Sequence, residues 1–243
     1  MDSKDNILSI DIGGSHIKAT VLTSDGVGIT DFKKIDTPAS GTPENIINAI
    51  QQLAKDFIPY AKISVGFPGY VKNGIVFTAT NLGYDLWKGT PFAKQLEEKM
   101  KKPVRLLNDA DMQGLGVAKG TGFEIVVTLG TGFGTALLMN GNLLPHIELA
   151  HHPITKEKEY DDYIGEKALE DVGLERWNKR VQKVIAILKT VFNYDHLYIG
   201  GGNARKIKFD LESNITLVTN KDGIKGGAKL WQLEDQYGIL SSH

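Results

Sequence analysis

The chain contains no cysteine among its 243 residues, and this absence removes several chemistries at once. Disulfide bonds, thiol nucleophiles and cysteine-ligated zinc sites are excluded, so we expect no structural zinc. The formal net charge is only −1. No overall positive field therefore attracts nucleic acid or an anionic lipid surface, and any phosphate ligand must be held by local groups.

Long apolar segments are also missing. The N-terminal residues are mostly polar and offer no apolar signal core, and no apolar run approaches the length of a membrane span. The sequence therefore predicts a cytoplasmic protein with no membrane partner. Its composition, 41% hydrophobic and 23% charged, suits one large or two modest globular domains.

Strand-like apolar runs alternate with helix-like segments along the chain, which indicates α/β architecture. The predicted strands cover residues 7–12, 17–23, 27–36, 62–66, 103–107, 124–129, 133–139, 195–200 and 215–218. The predicted helices begin near residues 43, 90, 109, 161 and 223. The fourth extends to residue 192 and is broken near Gly173, and the fifth extends to residue 236.

Both halves of the chain begin with two strands joined by a glycine-rich turn and continue with alternating strands and helices. This repeated order predicts a duplicated fold, with two α/β domains that flank a cleft. We place the domains at residues 1–107 and 108–230. A final helix at residues 231–243 is expected to pack back on the first domain.

The two glycine-rich turns are the strongest local signal. The first is Asp11-Ile12-Gly13-Gly14-Ser15, and the second is Leu129-Gly130-Thr131-Gly132-Phe133-Gly134-Thr135. Glycine tolerates a positive φ and the close approach of another group, and consecutive N–H groups of a turn can bind an anion. Two such turns facing each other can hold a phosphate chain. Two ordinary hairpins are the alternative.

Asn108 and Asp109 follow an apolar strand and open a helix. In an α/β sheet, ligands bind where strands end, so Asp109 is the candidate general base that accepts the proton of a sugar hydroxyl. The alternative is a helix N-cap, which Asn and Asp both favour. The two roles coexist if Asn108 caps the helix and Asp109 reaches into the cleft.

Glu148 and His151 place a carboxylate and an imidazole three residues apart, a pair that can bind vicinal hydroxyls. Polar loop residues are the plain alternative. Zinc ligation by His146, His151 and His152 is a weaker one, because no second metal-spaced motif accompanies them. Asn81 also has the donor and acceptor groups that a sugar needs.

Three consecutive glycines, Gly200–Gly202, follow a strand and precede a short helix. They allow close approach of a nucleoside or a phosphate tail, and the helix N-terminus adds positive potential. A tight strand–helix connection is the alternative. Trp87 is expected to lie in the core or in subunit packing rather than to bind sugar.

In this order the motifs resemble those of the ROK sugar kinases, a family with the actin-like ATPase (ribonuclease H-like) fold. Residues 11–18 resemble the family's first phosphate motif, and residues 129–134 resemble its second. Residues 108–111 resemble its catalytic segment, residues 148–151 its sugar-binding motif and residues 200–202 its adenosine-side motif. Ala150 replaces the glycine of the sugar-binding Glu-x-Gly-His motif. The resemblance covers almost the whole chain.

Two features of the family are missing. Many members carry a cysteine-rich zinc motif after the sugar-binding histidine, and this chain has no cysteine. Repressor members carry an N-terminal winged-helix domain, which is not expected here because the first strand begins near residue 7. Within the family the chain is most similar to the polyphosphate glucokinases, which have a segment like Trp177–Val181.

The resemblance implies a kinase that transfers a phosphoryl group to the 6-hydroxyl of glucose from inorganic polyphosphate, ATP or both, with Mg²⁺ as cofactor, in a homodimer. Asp109 is the implied catalytic base. The implied sugar-binding residues are Asn81, Asn108, Asp109, Glu148 and His151. The implied phosphate- and nucleotide-binding residues are Asp11, Gly13, Gly14, Ser15, Lys18, Gly130, Thr131, Gly132, Gly134, Gly201 and Gly202, with Asp11 binding Mg²⁺ through water.

Two alternatives to a glucokinase stay open at this point. One is a related kinase for mannose, fructose or N-acetylmannosamine, because selectivity among sugars depends on loop shape. The other is a non-catalytic sugar sensor on the same fold.

Overall fold

The computed structural model describes residues 5–79, 82–233 and 240, which form two compact units. Unit 1 takes residues up to Gly116 and those from Ile224 onward, and unit 2 takes Val117–Gly223. The division therefore falls within a helix rather than at residues 107 and 108, where the sequence pattern predicted it. That helix lies against unit 1, since a side chain at Gly66 would meet Met112.

Unit 1 is built on a five-stranded mixed sheet. Its elements are β1 (Ile7–Ile12), β2 (His16–Leu22), β3 (Lys33–Asp36), α1 (Pro43–Ala54), β4 (Lys62–Phe67), β5 (Val71–Lys72), β6 (Ile75–Val76), α2 (Phe92–Met100), β7 (Val104–Asn108) and α3 (Asp109–Val117). The strand order is β3-β2-β1-β4-β7. β1 pairs antiparallel with β2 and parallel with β4, which pairs parallel with β7.

The local sequence explains the helix that covers this sheet. Pro43 stands at the first turn of α1, and the Thr42 hydroxyl accepts a hydrogen bond from the Asn45 N–H at 3.3 Å. Apolar residues recur at helical spacing, and Ile46 and Ile50 are buried in the core of the unit. The helix therefore forms with its apolar face against the sheet.

Trp87 lies in the core of unit 1, as expected. It is fully buried between Phe67 and Phe92, with ring centroids 4.7 and 5.0 Å away. Its indole N–H donates to the Gly41 carbonyl oxygen at 2.8 Å, so its one polar atom is satisfied. The side chain is thus a structural group, out of reach of a ligand.

Unit 2 repeats the same plan with its own core. Its elements are β8 (Phe123–Leu129), β9 (Phe133–Met139), β10 (Asn142–Leu143), α4 (Tyr160–Ile164), α5 (Glu166–Val172), α6 (Leu174–Phe192), β11 (His196–Gly200), β12 (Ile215–Leu217) and α7 (Asn220–Gly223). The strand order is β10-β9-β8-β11-β12. The predicted helix at 161–192 is three helices, broken at Gly165 and at Gly173.

The two sheets have the same topology. Counted along the chain within each five-stranded sheet, the first strand pairs antiparallel with the second and parallel with the fourth, and the fourth pairs parallel with the fifth. A shared order of this kind, on separate cores, is the structural trace of a duplication. The predicted duplicated α/β fold is confirmed.

The chain returns to unit 1 at residue 224, through a short helix, α8 (Gly226–Lys229). Two fully buried serines of the sheet hydrogen-bond to this segment. The Ser9 hydroxyl donates to the Ile224 carbonyl oxygen at 3.0 Å, and the Ser64 hydroxyl donates to the Gly227 carbonyl oxygen at 2.6 Å. Within the described part of the predicted helix over 223–236, α7 ends at Gly223 and α8 takes only Gly226–Lys229. Most of the predicted packing helix at 231–243 lies outside the described residues.

Within the described ranges, no helix combines the length and the apolar character that crossing a lipid bilayer requires.

Gly201 and Gly202 offer a matched test of backbone constraint. Gly201 has a φ of +87°, and a Cβ there would overlap the Leu129 carbonyl oxygen, whereas a Cβ at Gly202 meets open space. We expect Gly201→Ala to reduce the free energy of unfolding by at least about 2 kcal/mol, and Gly202→Ala to change it little. Denaturant unfolding of both variants checks this, and equal midpoints would contradict it.

Candidate active site

The parallel register of unit 1 brings the first glycine turn and Asp109 to one edge of one sheet. β1 pairs with β4 so that Asp11 lies beside Gly66, and β4 pairs with β7 so that Gly66 lies beside Leu107. About 10 Å, two strand spacings, separates β1 from β7. A Cβ at Gly66 would lie 3.3 Å from the Asp109 Cα, so the missing side chain lets the start of α3 pack closely against β4.

Thr37 fixes the first turn through two hydrogen bonds. The Thr37 hydroxyl donates to the Gly13 carbonyl oxygen at 2.6 Å, and the Thr37 N–H donates to the Ser15 carbonyl oxygen at 3.0 Å. Among the described residues, no group accepts a hydrogen bond from the N–H of Gly14 or Ser15. These two donors are therefore available to an anion.

The carboxylate of Asp11 is in an unfavourable environment for its charge. Burial raises the pKa of this carboxyl group, and the Lys18 ammonium, 3.8 Å from its Oδ2, opposes the shift only in part. A perturbed carboxyl group beside available N–H donors is typical of a functional site. A single carboxylate also suits Mg²⁺, which keeps most of its waters and takes one or two carboxylates together with phosphate oxygens.

Asn108 caps α3 and thereby fixes the residue that follows it. Its Oδ1 accepts hydrogen bonds from the N–H groups of Ala110, at 2.8 Å, and Asp111, at 3.2 Å. Its Nδ2 donates to the Gly69 carbonyl oxygen at 3.1 Å, and the side chain is buried. Asp109 is partly exposed, and its Oδ1 accepts from the Ala110 N–H at 2.8 Å. The predicted division of labour, with Asn108 as cap, agrees with these contacts.

The second glycine turn, in unit 2, also has available donors. No described group accepts from the N–H of Thr131 or Gly132, while the Phe133 N–H donates to the Asp161 carboxylate at 2.6 Å. A Cβ at Gly132 would lie 2.8 Å from both oxygens of that carboxylate. Glycine is needed here for space: no glycine of either turn has the positive φ that the sequence pattern allowed for.

The glycines after β11 lie against this second turn. Asn203 connects the two segments, since its N–H donates to the Leu129 carbonyl oxygen at 2.9 Å and its Nδ2 donates to that of Gly130 at 3.2 Å. Gly201 packs directly on Leu129. The structure thus brings together, within unit 2, the two segments that were expected to bind the phosphoryl donor.

Glu148 is held ionised by a buried histidine. The His146 Nε2 lies 3.1 Å from the Glu148 Oε1, and the imidazole is almost fully buried. Burial alone would raise the pKa of Glu148, but the hydrogen bond from His146 and the charges of His146 and His151 outweigh it, so the pKa is lowered. The carboxylate is therefore a hydrogen-bond acceptor at neutral pH.

His151 contacts one carboxylate, and two others act on its charge. Its Nδ1 lies 2.9 Å from the Glu159 Oε2, a hydrogen bond that is the main cause of a raised pKa for the imidazole. Burial opposes this shift, and the charges of Glu148, Asp161 and Glu159 add to it. Burial also raises the pKa of Asp161, while the Phe133 N–H and His151 lower it.

Sequence reasoning missed Glu159 and Asp161. The available signal was the acidic run at the start of the helix predicted from residue 161, which is typical of ordinary helix N-terminal chemistry. Of the predicted sugar-binding residues, Asn81 lies outside the described residues. Within those residues, no group of three or more histidine, aspartate or glutamate side chains is arranged to hold a metal ion.

A duplicated fold, a phosphate-type turn in each unit and an acidic residue at a strand end define a member of the sugar-kinase superfamily with the actin-like ATPase fold. The ROK family model matches residues 7–156, more than half of the chain. The chain belongs to the ROK family.

Relatives within the family align with most of this chain. A polyphosphate glucokinase from Mycobacterium leprae is 34% identical over 206 residues, which cover 81% of this chain but 63% of that protein. One from Mycobacterium tuberculosis is 33% identical over 206 residues, 81% of this chain and 77% of its own length. The crystal structure of an inorganic polyphosphate/ATP-glucomannokinase from Arthrobacter sp. strain KM has a TM-score of 0.85 at 25% identity, covering 94% of this chain and 99% of that one.

Replacement of Asp11 by asparagine tests whether its charge costs stability. Because the folded state raises the pKa of Asp11, folding favours its protonated form, and this carboxyl group costs stability as the pH rises through its folded pKa. We expect Asp11→Asn to melt at a higher temperature than the parent at pH 7, with the gain shrinking towards about pH 4. Thermal melts across pH check this; a lower melting temperature at pH 7 would contradict it.

Proposed function

We propose that this chain is a glucokinase that transfers a phosphoryl group from inorganic polyphosphate or ATP to the 6-hydroxyl of glucose. The observation that carries the proposal is the pair of glycine turns with available N–H donors, the first on the same sheet edge as Asp109. Similarity to proteins named polyphosphate glucokinase supports both the acceptor and the donor.

Phosphoryl transfer requires positioning and charge stabilisation more than covalent chemistry from the protein. In the proposed reaction the N–H groups of Gly14, Ser15, Thr131 and Gly132 donate to phosphate oxygens. Asp109 accepts the proton of the 6-hydroxyl as this oxygen attacks the phosphorus atom. The bond between phosphorus and the leaving oxygen of the donor then breaks.

The sugar is bound mainly by groups that are already ordered. Glu148 is ionised and accepts hydrogen bonds from sugar hydroxyls, and His151 is held in place beside it. Asn108 acts chiefly by capping α3 and fixing Asp109. Asn81 completes the proposed set of sugar-binding residues.

Mg²⁺ is the proposed metal cofactor. Asp11 would hold it through water, and Lys18 supplies positive charge on the neighbouring strand. When bound, the ion neutralises negative charge on the phosphoryl donor. Beyond the donor and the metal, the resemblance to the family supports a cytoplasmic homodimer.

Mannose is the second candidate acceptor. The structural relative from Arthrobacter is named a glucomannokinase, and the same Glu148 and His151 pair can bind hydroxyls of either hexose. Assays with both sugars, each with ATP and with polyphosphate, establish the acceptor and the donor. If no hexose is phosphorylated with either donor while glucose still binds, the chain is a sugar sensor and the kinase proposal is wrong.

Asp109→Asn isolates the role of the base. The amide keeps the shape of the side chain but cannot take a proton, so kcat for glucose phosphorylation should fall about 10²-fold or more with little change in KM for glucose. Steady-state assays with the better donor measure both constants. Asp171→Asn, which changes an exposed carboxylate on α5, serves as the matched control and should keep parental activity. Near-normal kcat in Asp109→Asn would remove Asp109 from this role.

A further inference from the structure

Glu159 is the N-cap residue of α4, but its side chain does not cap the helix. Its backbone is extended, and its carboxylate accepts no hydrogen bond from the N–H groups at the start of α4. Shorter side chains such as Ser, Thr, Asp and Asn are favoured at this position because they reach the helix N–H groups. The longer Glu159 side chain extends instead to His151, where its Oε2 lies 2.9 Å from the Nδ1.

The backbone holds both partners of this pair. Between them the chain reverses in a short loop, in which the Ile154 N–H donates to the Lys158 carbonyl oxygen at 2.9 Å and the Thr155 hydroxyl accepts from the Lys158 N–H at 3.0 Å. Pro153 and Glu159 form a β-bridge that closes the loop. The contact therefore joins two half-exposed side chains whose backbone is held by an ordered chain reversal.

The start of α4 is fixed on the other side as well. The Tyr160 ring stacks on Phe133, a residue of the second glycine turn, with centroids 5.4 Å apart. The Tyr160 N–H donates to the His152 carbonyl oxygen at 3.3 Å. These two contacts tie the residue that follows Glu159 to the second turn and to the backbone next to His151.

A carboxylate beside Nδ1 determines the chemical state of the imidazole. Glu159 has only acceptor atoms when ionised, so the proton lies on Nδ1 and the ring is fixed in one orientation. The other ring nitrogen, Nε2, is then the atom left for a ligand. Glu148 and Asp161 are the other charged groups that act on the ring, and both favour the imidazolium form.

We propose that Glu159 is a positioning residue for the sugar site: it fixes the His151 ring through Nδ1, so that Nε2 is presented to a hydroxyl of the hexose. The inference rests on the proposed function of His151 in sugar binding. It adds a residue that does not itself touch the substrate. In the proposed reaction, loss of this residue weakens hexose binding and leaves the phosphoryl-transfer step nearly intact.

Two substitutions separate orientation from charge. Glu159→Gln keeps an oxygen that can accept from Nδ1–H, whereas Glu159→Ala removes the acceptor. We expect Glu159→Ala to raise KM for glucose about tenfold, with kcat within about twofold of the parent, and Glu159→Gln to stay within about threefold in KM. Glu212→Ala is the matched control, since it breaks another exposed carboxylate contact, with Lys189 at 2.6 Å, outside the site.

Nitrogen-15 NMR of His151 measures the tautomer and the pKa of the imidazole, which would not change if Glu159 only stabilised the fold. In the parent, the neutral imidazole should carry its proton on Nδ1, and the pKa of the imidazolium should lie above the ordinary histidine value. In Glu159→Gln the same tautomer should persist with a lower pKa, and in Glu159→Ala the tautomer preference should be lost.

The outcomes separate this inference from the proposed function. If the parent phosphorylates glucose and Glu159→Ala keeps the parental KM and the parental His151 tautomer, the positioning role is wrong and the kinase proposal stands. If Glu159→Ala unfolds, Glu159→Gln is the deciding variant, and an unchanged His151 pKa in it overturns the inference. If the parent phosphorylates no hexose with either donor and binds no glucose, both proposals fall.

Discussion

The parallel pairing of β1, β4 and β7 determines where chemistry can occur in unit 1. Parallel strands end at the same edge, so a turn that follows β1 and an acid that follows β7 are brought to one place although almost 100 residues separate them. Gly66 lets α3 approach β4 closely, because a side chain there would meet Met112 and the Asp109 backbone. The capping of α3 by Asn108 and the support of the first turn by Thr37 then only refine positions that the sheet has set.

Periodicity and turn chemistry predict the strands, the helix starts and the duplication, because these depend on neighbouring residues. Boundaries are predicted less well. The strand expected over 27–36 is reduced to Lys33–Asp36, and before it Val27 is exposed and Gly28 forms only an isolated bridge with Leu22. The closing helix expected from residue 223 is divided, with α7 ending at Gly223 and α8 beginning at Gly226.

The candidate site could be predicted in part. Asp11, the two turns, Asp109 and the Glu148 and His151 pair follow from motifs that lie in single short segments. The residues that tune them could not be predicted, because His146, Glu159 and Asp161 act through contacts that exist only after the chain has folded. Thr37 belongs to the same class, since only the pairing of β3 with β2 brings it beside the first turn.

The return of the chain at residue 224 has a consequence for biosynthesis. Unit 2 is one continuous stretch, so it has all its parts once Gly223 has left the ribosome. Unit 1 is interrupted, and its buried Ser9 and Ser64 hydroxyls lack their partners until Ile224 and Gly227 follow. The half of the protein that is synthesised first is therefore completed last, and a chain truncated before this point would leave two hydroxyls of the first sheet without their acceptors.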